Sequence, residues 1–213
     1  MRIFKRFFIY AVCLFAFGAI LHTSGAIAQN GPAWAEVGVN FLTSGGVSSS
    51  PVSGFGQKNG LGFGIRVGKE VFMPGLNAYG GIDLGTQKLT LSGRNVGNID
   101  RTSFVGGLRL NLGDDKVMKP YIGVGLNYTM SDGDSLGNGT LRMKDGGGLG
   151  YSADIGMRFM LKNSGWNTPI DFVNIGVTKN WGSTDTLETN AGAKVSDIKS
   201  SSTVFSIRVG KEF

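Results

Sequence analysis

Apolar and polar residues alternate along eight segments of this chain, from Ala35 to the C-terminal Phe213. Successive side chains of a β-strand point to opposite faces, so alternation predicts strands with one apolar face and one polar or glycine face. The clearest segment sets Ile122, Val124 and Leu126 against Gly123, Gly125 and Asn127. Eight strands of about ten residues, apolar outside and polar inside, are typical of outer-membrane barrels. We therefore predict an all-β fold, an eight-stranded antiparallel up-and-down transmembrane β-barrel.

The connections between these segments alternate in length. Short connections fall at residues 73–75, 113–119 and 162–167, and long ones at 43–58, 86–100, 131–146 and 181–200. In outer-membrane barrels the short turns are periplasmic and the long loops extracellular. The pattern therefore predicts a barrel with long loops at the cell surface.

The first 28 residues read as a cleaved signal peptide. Basic residues precede the apolar run from Phe7 to Leu21, and Ala26-Ile27-Ala28 has the small residues of a cleavage site. We expect residues 1–28 to be removed on export and residues 29–213 to form the barrel in the outer membrane of a bacterium.

Cys13 and His22 are the only cysteine and histidine of the chain, and both lie in the predicted signal. The mature protein would have no disulfide, no Cys or His metal site and no His-dependent catalysis. We expect no cofactor, no metal and no enzymatic activity. Three of the 21 basic residues and no acidic residue lie in the signal, so the formal charge falls from +6 to +3. Because no dense basic stripe remains, we expect no nucleic-acid partner.

Charged residues recur on the polar faces of the predicted strands. In a poorly hydrated lumen a guanidinium is costly unless a carboxylate pairs with it. Arg66 and Asp83 are equidistant from the Pro74-Gly75 turn and are expected directly opposite each other, and Glu36 is expected to meet Arg208. Separate arginines that reach water on their own are the alternative. The predicted lumen charge network comprises Arg66, Arg109, Arg158, Arg208, Glu36, Asp83 and Asp154.

Eight strands enclose a space just wide enough for side chains or one small ligand. Many inward positions are glycine, which leaves space that other side chains must fill or that stays open. The predicted lumen lining comprises Tyr79, Tyr121, Gly123, Gly125 and Met160. A filled barrel, in which the glycines only relieve crowding, is the alternative.

The segment KPYIGVGLNYTMSD, from Lys119 to Asp132, resembles the central strand of the outer membrane protein W (OmpW) family. The layout from Gly146 to the terminal phenylalanine is similar, and the OmpA, OmpX and opacity-type barrels share such strands. The resemblance implies a narrow conduit for small hydrophobic molecules. It also implies that Phe205, Ile207, Val209 and Phe213 form a signal read by the barrel-assembly machinery.

Two other expectations concern the surroundings of the barrel. A monomer in contact with outer-membrane lipid and lipopolysaccharide is expected, with Trp34, Trp166 and Trp181 at the membrane interfaces. The functional alternative to a conduit is a closed structural or adhesin-like barrel whose surface loops bind host or environmental partners, because loops carry function on rigid scaffolds.

Overall fold

The computed structural model describes residues 32–43, 47–48, 55–113, 115–133, 135–136, 141–144, 146–164, 169–189 and 194–213. The predicted signal peptide and its cleavage site, with Cys13 and His22, lie outside the described residues, as does Trp166. Within the described part of the chain, no helix has the length and apolar character needed to cross a membrane.

Strands dominate the described residues, and a single 3-10 turn at Leu161–Asn163 interrupts them. The strands are β1 (Ala33–Thr43), β2 (Val47–Ser48), β3 (Phe55–Glu70), β4 (Leu76–Leu91), β5 (Arg94–Asn111), β6 (Met118–Gly133), β7 (Ser135–Leu136), β8 (Leu141–Lys144), β9 (Gly146–Met160), β10 (Phe172–Thr189) and β11 (Lys194–Glu212).

Eight of these strands form a closed antiparallel barrel. The pairing order is β1, β3, β4, β5, β6, β9, β10 and β11, and β11 returns to pair with β1 from Trp34↔Glu212 to Thr43↔Thr203. Closure leaves no free sheet edge along this seam, as a strand structure in lipid requires. The predicted eight-stranded up-and-down barrel is confirmed.

The two faces of the wall have opposite chemistry. Leu61 and Val124 are 59% and 63% exposed on the outer face, whereas Glu36 and Arg208 are 0% and 1% exposed on the inner face. A soluble barrel would place the apolar side chains inside. Apolar-out and polar-in order in every long strand is the arrangement that a lipid environment selects.

Two segments predicted as long loops, residues 86–100 and 181–200, consist mostly of β-strand, so that prediction was wrong. The first of them is a hairpin. β4 runs to Leu91 and β5 begins at Arg94, and Ser92 and Gly93 join them with φ of 49° and 78°. Positive φ at both central residues is the signature of a two-residue hairpin turn. Beyond the apolar band both faces of a strand can be polar, so the alternation that reveals a strand disappears there.

The wall is interrupted on one side, near the end of the barrel that carries the long connections. This end is called the long-loop end. Pairing of β9 with β10 stops at Tyr151↔Trp181, and β10 pairs with β8 from Thr186↔Lys144 onward. Among the described residues, 146–150 and 182–185 form no pairs with each other, while 146–150 remain paired with β6. The opposite end, with its three short turns, is called the short-turn end.

Candidate functional site in the barrel lumen

The short-turn end of the lumen is closed by a buried cluster of Trp34, Tyr79, Met160 and Phe172. Trp34 Nε1 donates a hydrogen bond of 2.9 Å to Asn77 Oδ1. The expectation that Trp34 lies at the membrane interface is therefore wrong. Trp34 shares the phase of Glu36 on β1, which turns its ring into the barrel rather than toward lipid.

A lower charge layer lies directly above this cluster. Glu36 is within 3.6 Å of Arg109 and 3.9 Å of Arg158, and it accepts a 2.7 Å hydrogen bond from Asn174 Nδ2. Arg109 in turn reaches Asp154 Oδ2 at 3.3 Å. Two guanidiniums and two carboxylates thus form one buried chain across the lumen.

Aromatic rings hold these guanidiniums in place. Arg109 Cζ lies 4.1 Å from the Tyr121 ring centroid, and Arg158 Cζ lies 4.1 Å from that of Phe172 and 4.6 Å from that of Trp34. A guanidinium is planar and weakly hydrated, so it stacks on ring faces while its edge donates to carboxylates. Rings and guanidiniums together fill this half of the barrel.

An upper charge layer centres on Asp83. Its carboxylate accepts hydrogen bonds from Arg66 at 3.0 Å, Arg208 at 3.5 Å and Asn40 Nδ2 at 3.0 Å. Arg208 also donates to Asn40 Oδ1 at 2.7 Å. The two layers bring all seven of the predicted charged residues together.

Two details of the predicted pairing are wrong. Arg66 lies opposite Gly81 and Asp83 opposite Gly64, because the hairpin is centred between Met73 and Pro74, and the Arg66–Asp83 contact is therefore diagonal. Glu36 was expected to meet Arg208. The seam register places Arg208 opposite Gly38, from where it reaches Asp83 while Glu36 takes Arg109 and Arg158.

The predicted lining residues lie in this filled half. A Cβ at Gly123 would collide with the Asp154 carboxylate, and one at Gly125 would come within 3.0 Å of the Tyr79 hydroxyl. The Tyr121 hydroxyl donates to Asn174 Oδ1 at 2.9 Å. These glycines leave room for larger neighbouring side chains. Tyr79, Tyr121 and Met160 are buried among them and do not line an open channel.

A cavity of about 60 Å³ lies above the upper charge layer. Its wall combines polar and apolar side chains, among them Asn40, Asp83 and Asn127 with Leu42, Val105 and Val204. Arg101 also lines it and donates to Gln87 Oε1 at 2.6 Å. Sequence reasoning missed Arg101 because the residue directly follows the predicted loop at 86–100, before the apolar alternation becomes clear, although it continues the inward phase of Arg109.

The cavity lies at the level of the interrupted wall. Asn127 and Thr129 are opposite Gly150 and Gly148, and Asn180 begins the irregularity in β10. Just below, the Tyr151 and Trp181 rings stack at 5.4 Å and 19°.

The predicted assembly residues lie at the seam between the first and last strands. Phe205 and Ile207 are exposed on the outer face, and Val209 continues their phase opposite Val37. Phe213 exchanges two backbone hydrogen bonds with Ala33, of 2.8 and 3.3 Å. The terminal aromatic residue therefore completes the closure of the barrel.

Comparison with known proteins agrees with this architecture. The OmpW family model matches residues 109–213, from the end of β5 to the C-terminus. The outer membrane protein OprG of Pseudomonas aeruginosa superposes with a TM-score of 0.63 at 14% identity, covering 86% of this chain and 96% of that one. Ail of Yersinia pestis, at 13% identity, covers 86% of this chain and 100% of its own, with a TM-score of 0.48.

No curated protein matches the sequence. Three observations indicate the lipid environment of an outer membrane: the closed barrel, the apolar outer wall and the family match. The chain is an eight-stranded outer-membrane β-barrel protein whose second half matches the OmpW family.

Proposed function

We propose that this protein is a narrow conduit that admits small, weakly polar molecules from the cell surface into the long-loop half of its lumen. They leave sideways, through the interrupted wall, into the membrane. The observation that supports this route most is the cavity, which lies beside the wall interruption and above a filled short-turn half. The role requires no catalytic step.

The filled half opposes passage along the barrel axis. Arg109, Arg158 and Arg208 are almost fully buried, and the cluster around Trp34 and Phe172 lies beneath them. A solute moving along the axis would have to break buried ion pairs, which costs several kcal/mol for each buried charge left unpaired.

The lumen wall above the filled short-turn half suits amphiphilic rather than purely apolar solutes. Leu42, Val105 and Val204 provide apolar surface, and Asn40 and Asn127 provide amides. At the break, Gly148 and Gly150 carry no side chain to cover the wall, and a Cβ on Gly182 would lie 3.1 Å from Gly150 Cα. Backbone contact thus closes the lower edge of the break, and sideways passage would use the unpaired stretch above it, between residues 146–149 and 183–185.

Electrical recording tests whether the filled short-turn half blocks passage along the barrel axis. The refolded barrel in a planar bilayer should show almost no ion conductance at neutral pH. Large, steady conductance in the wild-type protein would contradict the closed short-turn half.

An uptake assay with two matched variants tests whether solutes pass through the cavity. Val105→Trp places a large ring in the cavity, whereas Val124→Trp places the same ring on the lipid-facing wall. Cells that produce the wild type or Val124→Trp should accumulate a small, weakly polar solute faster than cells without the protein, and Val105→Trp should remove the gain. Equal uptake in all four strains would favour the alternative, a closed surface barrel whose loops bind a partner.

A further inference from the structure

We infer that the lipid-facing side of the barrel carries a binding site for a phosphate group of lipopolysaccharide, held by Lys179 on β10 and Thr203 on β11. The site lies on the outer face just below the interrupted wall, apart from the lumen cavity. It goes beyond the proposed conduit and does not depend on it. The inference follows from a cation on the membrane-facing surface for which the described residues provide no anion.

The side chain of Lys179 points to the lipid side of β10. The residues before and after it have the inward phase, since Thr178 is buried and Asn180 lines the lumen cavity. Ile175, which shares the phase of Lys179, is 48% exposed on the outer wall. Alternation along the strand therefore places the lysine side chain outside the barrel.

Lys179 lies just inside the long-loop edge of the apolar band. Its cross-strand partner on β9 is Ala153, and from there Tyr151 and Leu149 continue the outer face toward the long-loop end with 58% and 68% exposure. Trp181 follows two residues after Lys179, about 6–7 Å further along the strand. Its ring stacks on Tyr151, and such aromatic residues mark the membrane interface. The ammonium group is thus at the depth where the acyl chains of the outer leaflet meet their headgroups.

No carboxylate among the described residues reaches Lys179. The polar contact of its Nζ is with Thr203, directly across on β11, to which it donates a hydrogen bond of 3.3 Å. This contact holds the ammonium group against the wall and leaves two of its three N–H donors for a ligand. The Thr203 hydroxyl accepts that bond and can still donate its own proton. An ionisable residue inside a membrane span is costly without a partner, so it indicates a functional site.

A phosphate attached to acyl chains matches these surroundings. The ammonium group of lysine binds phosphate as a point charge, and the adjacent hydroxyl adds a second donor. The row directly below Lys179 is apolar on three neighbouring strands and consists of Ile155, Val177 and Phe205. Lipopolysaccharide fills the outer leaflet of a bacterial outer membrane, and its phosphates are attached to the same sugars as its acyl chains. Its phosphate therefore meets Lys179 while its chains lie on this apolar row.

Binding to the full barrel, refolded in detergent micelles, tests the ligand with three probes. Lipid A with its phosphates should bind at least about tenfold more tightly than the same lipid A without them, because only the charge-assisted bonds differ. Phosphatidylglycerol, whose phosphodiester carries less charge, should bind more weakly than phosphorylated lipid A. Native mass spectrometry of the intact barrel counts the bound lipids. Equal binding of the dephosphorylated lipid would overturn the phosphate site, and equal binding of phosphatidylglycerol would overturn the assignment to lipopolysaccharide.

Substitutions of the lysine give a second test. Lys179→Met should remove the preference for phosphorylated lipid A, and Lys179→Arg should keep it. Lys211→Met is the matched control, because Lys211 is also exposed on the outer face but lies at the short-turn end. It should leave the preference unchanged. A wild-type preference in Lys179→Met would refute the site.

The stability of the barrel provides a readout that a lysine extending alone to water would not change. Without lipid A, Lys179→Met should unfold in urea at the wild-type midpoint or above it, because a charge on the lipid face does not favour folding. Phosphorylated lipid A should raise the midpoint of the wild type and of Lys211→Met, since a ligand of the folded state stabilises it. An equal rise in Lys179→Met would overturn the inference, and the comparison of lipids on the wild type remains decisive if the variant fails to fold.

Discussion

Replacing Glu36 by glutamine should destabilise the barrel by about 3–5 kcal/mol. Glu36 is fully buried between Arg109 and Arg158, and glutamine has nearly the same shape without the charge. The amide oxygen can still accept the hydrogen bond from Asn174. The variant therefore removes the charge and little else, and leaves two guanidiniums facing one neutral group.

The magnitude follows from the two distances. At an effective dielectric constant of about 20, charges 3.6 and 3.9 Å apart attract by about 4–5 kcal/mol for each pair. Removing the carboxylate from water on folding costs several kcal/mol, which offsets part of this attraction. The balance is a net loss of about 3–5 kcal/mol, because Arg109 then keeps only Asp154 and Arg158 only Glu212 as a carboxylate partner.

Urea unfolding of the refolded barrel measures this loss, with heat-modifiable migration on gels to count folded molecules. Glu36→Gln should lower the midpoint without changing the slope. The same carboxylate-to-amide change at the exposed Asp132 should alter stability by no more than about 0.5 kcal/mol. Adding Arg158→Met to Glu36→Gln should restore part of the loss. A wild-type midpoint for Glu36→Gln would refute the buried network as a source of stability.

Three further predictions concern the short-turn end. Phe72 is 96% exposed and has a φ of 60°, a left-handed backbone conformation that is strained for phenylalanine and that asparagine adopts more easily. Phe72→Asn should therefore stabilise the barrel in micelles by about 1 kcal/mol in urea unfolding, and an unchanged or lower midpoint would contradict backbone strain at this position. Backbone N–H groups of Val117 and Met118 lower the pKa of Asp115, so its contribution to stability is present at neutral pH and lost as the pH falls through that lowered pKa. An NMR titration should give a midpoint below the ordinary aspartate value, and Asp115→Ala should remove this acid-dependent part. Deleting Phe213 should reduce the amount of folded, heat-modifiable protein in the outer membrane, since it removes the two backbone hydrogen bonds with Ala33 at the end of the seam and the terminal aromatic residue expected to act in assembly. Unchanged amounts would rule this out.

The sequence was most informative where lipid imposes a constraint. Every second residue of a membrane strand must be apolar, so the phase of Val124 or Leu61 also identifies which of their neighbours point inward. For that reason the inward position of Arg109 and Asp154 could be predicted from one segment at a time. Where the strands leave the apolar band, as at residues 86–100, the constraint ends and the prediction of a loop was wrong.

Contacts between strands were harder to predict. A hairpin centred one residue earlier than assumed moved Asp83 two positions from its expected place opposite Arg66. The position of Trp34 required weighing an aromatic preference for the interface against the phase of its strand, and the phase decided. The cavity depends on the register of strands distant in sequence, which no local pattern contains.

The buried charge layers also constrain the order in which the chain can fold. Glu36 on β1 bonds Asn174, 138 residues later, and pairs with arginines on β5 and β9. Glu36 meets these partners across the lumen only when the sheet has curled and the last strands have reached the first. A half-assembled sheet can form the Arg66–Asp83 and Arg109–Asp154 pairs, but it leaves Glu36 and Arg158 without each other. Contacts of such sequence separation form late and slowly. Closing the seam and neutralising the interior are consequently one cooperative event, and partly assembled barrels should be too unstable to accumulate.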